Sequence, residues 1–322
     1  MKILMWIDNK FMDKAANIKL HEYLGNKEVL ITTDINIVLE NAADIDIVLG
    51  DFPREQLASL PKLLWFQQFG TGVEWLSNHP YLVKAPFLLT NCSDDHHDVV
   101  ADHLMALVLS ITRSIPQFVT GRRKNQWLQT SLTDCDNLFQ LRGKTVLVVG
   151  LGSVGLAIIN RLLPFGVNII GVRKNISKSV KNVSKLYSID ELGIAAQQAN
   201  IVITCLPRTD ETTHLFNDAF FEAMPKPGFF FNIGRGNAVD ETALVNALTT
   251  GKLNGAAIDV TIEEPLNNES PLWTAPNLLI TPHVGGTYND VMKTWRDVAL
   301  DNLVLYQQGA QLRNVVDKQL GY

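Results

Sequence analysis

The sequence has few cysteines, little charge imbalance and no long apolar run, and each of these features excludes a class of protein. The three cysteines, Cys92, Cys135 and Cys205, lie far apart without CxxC spacing, so neither a disulfide framework nor a structural zinc site is expected. The formal net charge of −5 provides no basic surface for nucleic acid or an anionic membrane. The apolar stretches fall short of the ~20 residues that a membrane helix needs, and no signal-peptide pattern begins the chain. These features predict a cytoplasmic protein that binds no metal, nucleic acid or membrane.

What the sequence does contain is an alternation of short apolar runs and helical patterns. At 322 residues, 46% of them hydrophobic and 19% charged, the chain is long enough for two globular domains. The alternation predicts an α/β fold with parallel sheets. Strands are predicted at 3–7, 29–32, 47–49, 63–67 and 87–90, and then at 145–149, 167–172, 201–204, 229–233, 256–260 and 278–281. The second series has six strands, the number in a full dinucleotide-binding sheet.

Three helical patterns lie outside this second series of strands. One occupies residues 53–60, and a longer one begins at a cap, Asp94 or Asp95, and ends before Pro116. The last runs from Asp290 to Gln308, after the final strand. We therefore expect the first lobe to be completed by the last helix, with the second series of strands inserted between its two parts.

A glycine-rich loop joins the first strand of the second series to a helix. Gly150, Gly152 and Gly155 stand in GxGxxG spacing directly after the apolar run 145–149. The first glycine permits a tight turn, the second lets the backbone approach a pyrophosphate, and the third lets helix and strand pack closely. The pyrophosphate would lie at the helix N-terminus, at Ser153 and Val154, where free N–H groups favour an anion. This context predicts a dinucleotide-binding site.

The end of the next strand indicates which dinucleotide is bound. Sites for NAD usually carry Asp or Glu about 20 residues after the glycine loop, whereas Arg accommodates the 2′-phosphate of NADP. Here the strand ends in Arg173 and Lys174, and no acidic residue occurs before Asp190. Because a carboxylate would repel the phosphate and Arg173 can bind it through two hydrogen bonds, NADP(H) is the preferred cofactor and NAD(H) the alternative.

Three polar side chains each follow a predicted strand of the second series. Arg235, Glu264 and His283 therefore fall at the carboxyl-end edge, where parallel sheets bind ligands. The arginine can hold a substrate carboxylate and polarise the neighbouring carbonyl, and the histidine can exchange a proton with the carbonyl oxygen. A carboxylate bonded to the histidine would favour the protonated imidazole and fix its orientation. This set predicts hydride transfer between a nicotinamide and a 2-oxo acid.

From Trp65 to about Thr287 the chain resembles the D-isomer-specific 2-hydroxyacid dehydrogenases. The motifs that carry the resemblance are QFGTGVEWL (68–76), VADH (100–103), LRGKT (141–145), GLGSVG (150–155), LPRT (206–209), NIGRG (232–236), GAAIDVTIEEPL (255–266), SPLW (270–273) and TPHVGG (281–286). The resemblance implies a Rossmann-type doubly wound parallel sheet with a second, smaller, flavodoxin-like α/β lobe built from both chain ends. Residues 1–93 and 288–322 would form the substrate-binding (catalytic) domain, and residues 94–287 the NAD(P)-binding domain.

The resemblance also implies a role for individual residues. Arg235, Glu264 and His283 match the catalytic trio of the family. The substrate-binding positions, besides Arg235 and His283, are Gly70, Thr71, Gly72 and Val73. The positions that line the nicotinamide side of the cofactor are Leu206, Pro207, Ile233, Gly234, Asp259 and Gly286. Asp102 and Glu74 stand where the family usually has Glu and Asp, and Arg173 replaces a common acidic residue, as in members that use NADP.

Within the family, the motifs EPL and SPLW resemble those of glyoxylate/hydroxypyruvate reductases, which implies reduction of a small 2-oxo acid to the D-2-hydroxy acid. A D-3-phosphoglycerate dehydrogenase-type activity stays open as the alternative. No Lys or Arg occurs from Leu63 to Val83 to hold a substrate phosphate, although Arg54 could serve. A nicotinamide-sensing, non-enzymatic corepressor-like protein is a third hypothesis.

The apolar and aromatic segments 100–111 and 121–127 resemble the arm through which family members pair, so a homodimer is expected.

Overall fold

The computed structural model describes residues 1–24, 27–93, 96–129 and 138–321. Cys135 and both candidate helix caps, Asp94 and Asp95, lie outside these ranges. The strands are β1 (Lys2–Trp6), β2 (Glu28–Ile31), β3 (Ile45–Gly50), β4 (Trp65–Gln68), β5 (Leu88–Thr90), β6 (Thr145–Val149), β7 (Asn168–Val172), β8 (Lys185–Tyr187), β9 (Ile201–Thr204), β10 (Phe229–Asn232), β11 (Gly255–Ile258) and β12 (Leu278–Ile280). The helices are α1 (Lys14–Leu24), α2 (Ile35–Asn41), α3 (Trp75–Asn78), α4 (Pro80–Val83), α5 (His97–Thr112), α6 (Ile115–Arg123), α7 (Ser153–Leu162), α8 (Leu192–Ala196), α9 (Asp218–Ala223), α10 (Glu241–Thr249) and α11 (Val291–Gln307).

The first of two compact units consists of Met1–His96 and Tyr288–Tyr322. Its five parallel strands lie in the order β2-β1-β3-β4-β5, which is the flavodoxin-like order. Apolar side chains of α1 and α11 pack on one face of the sheet, and those of α2, α3 and α4 pack on the other. Since α11 comes from the end of the chain, both chain ends build this sheet-and-helix unit.

The second unit, His97–Thr287, contains seven parallel strands in the order β12-β11-β10-β9-β6-β7-β8. Numbered from β6 within the unit, the order is 3-2-1-4-5-6 followed by a seventh strand, which is the Rossmann order with one addition. Helices α5 and α7 cover one face, and α8, α9 and α10 cover the other. The fold class inferred from the alternating pattern and the family resemblance is confirmed.

The expected count of six strands in this sheet is wrong, because β8 was missed. β8 has three residues at the sheet edge beyond β7, and it starts with a lysine, so it leaves no apolar run of the length that predicts a strand. The pattern at 53–60 also forms a 3₁₀ helix, Arg54–Ser59, in place of an α-helix. Pro116 lies in the first turn of α6, where the N–H that proline lacks is not needed.

Two negative findings apply to the described part of the chain. No single helix there is long and apolar enough to cross a membrane; only α5 and α6, bent by 68° at their junction, reach that length and apolarity as a pair. No group of three His, Cys, Asp or Glu residues is arranged there to hold a metal ion.

Candidate active site

The glycine loop between β6 and α7 has the geometry that a dinucleotide requires. Gly150 has φ of +99°, a left-handed conformation that favours glycine. A Cβ on Gly155 would lie 2.1 Å from the carbonyl oxygen of Gly150, so only glycine allows the helix to approach the turn. A Cβ on Gly152 would meet nothing within 4 Å, and no side chain caps α7 there. The first-turn N–H groups of α7 are therefore left without a side-chain cap and can donate hydrogen bonds to a pyrophosphate.

Cys205 packs directly beneath this loop. Its thiol lies 2.9 Å from the carbonyl oxygen of Gly150, to which it donates a hydrogen bond. Burial raises the pKa of Cys205 to about 12. The thiol is therefore neutral and unreactive at physiological pH, and it serves to pack the loop.

Arg173 and Lys174 follow β7 in different environments. The half-buried guanidinium of Arg173 forms no hydrogen bond or ion pair with any residue that the structure describes. The Lys174 ammonium lies 3.1 Å from a carboxylate oxygen of Glu211, and both of these side chains are exposed. Glu211 comes from the loop after β9. The fold therefore brings one carboxylate to the end of β7, where the sequence after the strand has no acidic residue before Asp190. Arg173 is thus available for an anionic ligand.

The loops that follow β9, β10 and β11 pack against one another through two glycines. A Cβ on Gly234 would lie 2.6 Å from the carbonyl oxygen of Leu206, and a Cβ on Gly236 would lie 2.0 Å from the carbonyl group of Thr261. The other predicted cofactor positions lie at the same edge, in the first turn of α7 or in loops after strands: Ser153, Val154, Pro207, Ile233, Asp259 and Gly286. These backbone contacts bring residues from three separate sequence motifs, LPRT, NIGRG and GAAIDVTIEEPL, to one edge of the sheet.

The candidate Arg235 lies between the two glycines, in the turn after β10. The side chain of Asn232 holds this turn, since it accepts a hydrogen bond from the Gly234 N–H and donates one to the Arg235 carbonyl, both at 3.0 Å. Arg235 is half-buried, and its Nη1 donates to the Gly234 carbonyl at 2.9 Å. These hydrogen bonds therefore fix the backbone position from which the Arg235 side chain extends.

His283 and Glu264 form a close pair in the same unit. The distance from His283 Nδ1 to Glu264 Oε2 is 2.7 Å, and Glu264 Oε1 accepts a hydrogen bond from the Thr261 N–H at 3.0 Å. The side chains of His283 and Glu264 remain 49% and 38% exposed, so the pair is open to a ligand. Because the carboxylate occupies Nδ1, the second ring nitrogen of His283, Nε2, is left for proton exchange.

The backbone of His283 is held in an unusual conformation by Asp259. His283 has φ of +52°, in the left-handed region that residues with a Cβ rarely adopt. Its N–H donates to the Asp259 carbonyl at 2.7 Å, and the next two N–H groups, of Val284 and Gly285, donate to the Asp259 carboxylate at 3.0 and 2.8 Å. Asp259, predicted to line the nicotinamide, is thus also the anchor of the histidine turn.

Two further residues, which sequence reasoning assigned no part in the site, complete this anchor. The Thr281 hydroxyl donates to Asp259 Oδ1 at 2.6 Å, and His103 Nε2 lies 3.0 Å from the same hydroxyl oxygen and 3.4 Å from Asp259 Oδ1. Burial opposes the charge of Asp259, which is 4% exposed, but these hydrogen bonds and those of the turn outweigh burial and lower its pKa. The sequence signal that could have revealed the link is a histidine on the otherwise apolar helix α5, in the VADH motif.

In the first unit, the loop Gly70–Val73 follows β4. The carbonyls of residues 70, 71 and 72 accept hydrogen bonds from the Cys92 N–H and the side chains of Asn91 and Gln68, at 2.9, 2.9 and 2.8 Å. The four N–H groups of the loop bond to no residue that the structure describes. Successive N–H groups of this kind, with their carbonyls tethered elsewhere, can donate hydrogen bonds to a small anion such as a carboxylate.

Arg54, the basic residue considered for a substrate phosphate, is already engaged by other groups. Its guanidinium pairs with Asp51 at 2.7 Å and lies over the rings of Phe66 and Trp75, 5.1 and 5.6 Å from their centres. Burial lowers the pKa of Arg54 despite the neighbouring Asp51 carboxylate. These contacts make Arg54 a structural cation that is poorly placed to bind a substrate phosphate as well.

Comparisons with known proteins show which family and fold this chain resembles. The family profile described as "D-isomer specific 2-hydroxyacid dehydrogenase, NAD binding domain" matches residues 105–285. A glyoxylate/hydroxypyruvate reductase B from Enterobacter sp. (strain 638) is 36% identical over 239 residues, which cover 73% of this chain and 70% of that protein. A D-3-phosphoglycerate dehydrogenase from Methanocaldococcus jannaschii is 29% identical over 304 residues, 93% of this chain and 57% of that protein. The crystal structure of an NADPH-dependent glyoxylate/hydroxypyruvate reductase from Sinorhizobium meliloti, in complex with NADP and malonate, superposes with a TM-score of 0.76 at 27% identity and covers 99% of this chain and 98% of that one.

Proposed function

The chain belongs to the D-isomer specific 2-hydroxyacid dehydrogenase family, and we propose that it reduces a small 2-oxo acid of the glyoxylate or hydroxypyruvate type to the D-2-hydroxy acid with NADPH. Family membership makes it an NAD(P)-dependent dehydrogenase and confirms the resemblance inferred from the motifs. The observation that carries the proposal is the 2.7 Å contact between His283 and Glu264, in the unit that also holds the glycine loop and Arg235.

The two units would divide the work between cofactor and substrate. The profile match at 105–285, which is described as an NAD-binding domain, lies within the unit His97–Thr287. The loop Gly70–Val73 lies in the other unit, and its free N–H groups suit the carboxylate of a 2-oxo acid. We therefore assign cofactor binding to the second unit and substrate binding to the first.

The residues at the edge of the second sheet fit NADP(H). The pyrophosphate would lie on the N–H groups at Gly152 and the first turn of α7, and Arg173 would bind the 2′-phosphate. A reductase of the same family at 27% identity was crystallised with NADP, which supports the same preference here. NAD(H) would bind the same pocket without the contribution of Arg173. The loop positions after β9 to β12, Leu206 to Gly286, would line the nicotinamide.

The proton chemistry follows from the polar trio. Bound NADPH would supply the hydride that reduces the substrate carbonyl carbon. Arg235 would hold the substrate carboxylate and polarise the carbonyl. As the carbonyl oxygen gains negative charge, it takes the proton from Nε2 of the His283 imidazolium and becomes the hydroxyl. Glu264 keeps the Nδ1 proton of His283 in its hydrogen bond, which stabilises the imidazolium before transfer and fixes the ring afterwards.

A substrate panel tests this proposal directly. Initial rates are measured with NADPH and with NADH for glyoxylate, hydroxypyruvate, pyruvate, longer 2-oxo acids and 3-phosphohydroxypyruvate. We expect glyoxylate and hydroxypyruvate with NADPH to have the highest kcat/KM. A clear preference for the phosphorylated substrate would replace this proposal with a phosphoglycerate dehydrogenase activity, which the archaeal relative favours and the engaged Arg54 disfavours. Failure of every 2-oxo acid to oxidise NADPH would favour the corepressor-like hypothesis.

A homodimer is part of the proposal. Of the two segments predicted to form the pairing arm, 100–111 packs most of its apolar side chains into the second unit, whereas the region of α6 and segment 121–127 exposes several, of which Trp127 is 91% exposed. Exposed apolar clusters of this kind mark protein–protein contacts. Gel filtration coupled to light scattering should give twice the chain mass, and a mass equal to that of one chain would contradict the assignment.

A cytoplasmic location and the lack of a nucleic-acid or membrane partner stay predictions from composition.

A further inference from the structure

We propose that His103 is a positioning residue for His283, acting through Thr281 and the carboxylate of Asp259. The inference rests on the proposed function, in which His283 exchanges the substrate proton. It assigns a role in the reaction to a side chain on α5 that touches neither Glu264 nor the imidazole of His283. Its basis is one unbroken chain of hydrogen bonds from α5 to the backbone turn that carries the candidate histidine.

The direction of each hydrogen bond in this chain can be assigned. The low pKa of Asp259 keeps its carboxylate ionised, so Asp259 can only accept hydrogen bonds. The single hydroxyl proton of Thr281 must then point to Asp259 Oδ1, 2.6 Å away. The Thr281 oxygen is left as an acceptor for His103 Nε2 at 3.0 Å. His103 therefore carries a proton on Nε2, and the chain runs from His103 to Thr281 to Asp259.

The turn at His283 needs this support because its conformation is unfavourable. A residue with a Cβ rarely adopts φ of +52°, and it does so here while the N–H groups of Val284 and Gly285 are held on the Asp259 carboxylate. The space around that carboxylate is also closed: a Cβ on Gly285 would lie 2.8 Å from Asp259 Oδ2 and 3.3 Å from a ring carbon of His103. If Thr281 and His103 release the carboxylate, it can rotate, and the turn loses its anchor.

Loss of the hydrogen bonds from His103 to Asp259 should therefore disturb the orientation of the His283 imidazole and leave the proposed carboxylate-binding loop Gly70–Val73 intact. We expect kcat to fall while the KM for the 2-oxo acid changes little. The pH dependence of kcat should also move, since the contact between His283 and Glu264 depends on the same turn. A residue that only stabilised the fold would lower the active fraction without moving the pH profile.

Paired variants separate these possibilities. T281V removes the hydroxyl at nearly constant volume, whereas T281S keeps it; H103L removes the donor, whereas H103Q places an amide N–H near the position of Nε2. T112V is the matched control, because Thr112 is a buried threonine of α5 whose hydroxyl bonds only within its own helix, to the Val108 carbonyl at 2.7 Å. Steady-state kinetics across pH and thermal unfolding are measured for all five variants.

The expected result is a fall in kcat of about tenfold or more for T281V and H103L, with KM for the 2-oxo acid within about threefold of the wild type and a shifted pH profile. T281S and H103Q should recover most of kcat, and T112V should retain it.

H283Q separates the two proposals in the same assay. If H283Q is inactive while T281V and H103L keep the wild-type kcat and pH profile, the positioning role is wrong and the proposed function stands. If H283Q remains active, the proposed function itself fails. Should T281V not fold, the comparison of H103L with H103Q decides alone.

Discussion

Replacement of Arg173 by alanine should convert the protein from a preference for NADPH to near indifference between NADPH and NADH. The Arg173 guanidinium is half-buried at the end of β7 and bonds to no residue in the described ranges, so no internal ion pair competes with a phosphate. The 2′-phosphate of NADPH would accept two parallel hydrogen bonds from the planar fork. NADH carries a hydroxyl at that position and would lose little when the arginine is removed.

The magnitude follows from the charge and the partial exposure of the group. Hydrogen bonds to a charged group contribute about 1.5–3 kcal/mol, which corresponds to roughly 10- to 150-fold in the kcat/KM for NADPH. R173D should have a larger effect, because a carboxylate about 4 Å from the phosphate adds roughly 1–4 kcal/mol of repulsion between the dielectric limits of water and a protein surface. R173D should therefore favour NADH.

The assay is the ratio of kcat/KM for NADPH to that for NADH, from initial rates with the best substrate of the panel. K181A is the matched control, since Lys181 is an exposed cation on the same stretch after β7 and its removal changes the net charge by the same amount. Screening should keep its effect on the ratio below about threefold. An unchanged ratio in R173A would refute the assignment of Arg173 to the 2′-phosphate.

Three further predictions follow from other contacts. E264Q keeps a hydrogen-bond partner for His283 but removes the carboxylate that lies 2.7 Å from its Nδ1, so kcat should fall about 10- to 100-fold, as steady-state kinetics would show. G236A should lower the free energy of unfolding by about 1–3 kcal/mol or more in urea denaturation, because its Cβ would lie 2.0 Å from a backbone carbonyl. The control G193A should be neutral or stabilising, because Gly193 lies in α8 and its Cβ would meet nothing within 4 Å. Hydrogen bonds outweigh burial and hold the pKa of Asp259 below 3.8, so this carboxylate stabilises the fold above that pH and the stabilisation is lost as pH falls through the lowered pKa. The free energy of unfolding of the wild type should therefore decrease more steeply below about pH 4 than that of D259N; equal slopes would contradict the ionised, hydrogen-bonded Asp259.

Most of the fold was predictable because its signals are local. The apolar runs at 145–149 and 201–204 became β6 and β9 with the predicted bounds, since strands buried on both faces need continuous apolar sequence. β8 escaped prediction because three residues at a sheet edge are stabilised by pairing with β7, which the segment itself does not encode. The aromatic side chains Trp65, Phe66 and Phe69, which come just before the loop Gly70–Val73, are at most 3% exposed and belong to the core.

The candidate site was predictable in its residue types and in the pairing of Glu264 with His283, but not in its other connections. Each strand-end motif signals a polar group at the carboxyl edge of a parallel sheet, and that rule placed His283 and Glu264 at one edge before their 2.7 Å contact was known. The rule does not indicate which donors a side chain uses. The family resemblance assigned Asp259 to the nicotinamide side, and it gave no sign that the Asp259 carboxylate anchors the left-handed turn at His283.

The sequence by itself determined the alternating α/β elements, the glycine loop and the choice of chemistry, because hydrophobic period, turn residues and charge are properties of neighbouring residues. Tertiary structure alone decided which distant side chains meet. His103 and Thr281 are 178 residues apart and come within 3.0 Å only because α5 packs across the sheet whose last strand precedes Thr281. Likewise, Glu211 in the loop after β9 meets Lys174 in the loop after β7 only because the fold places the two loops side by side. Such contacts depend on strand order and helix packing, which no local pattern contains.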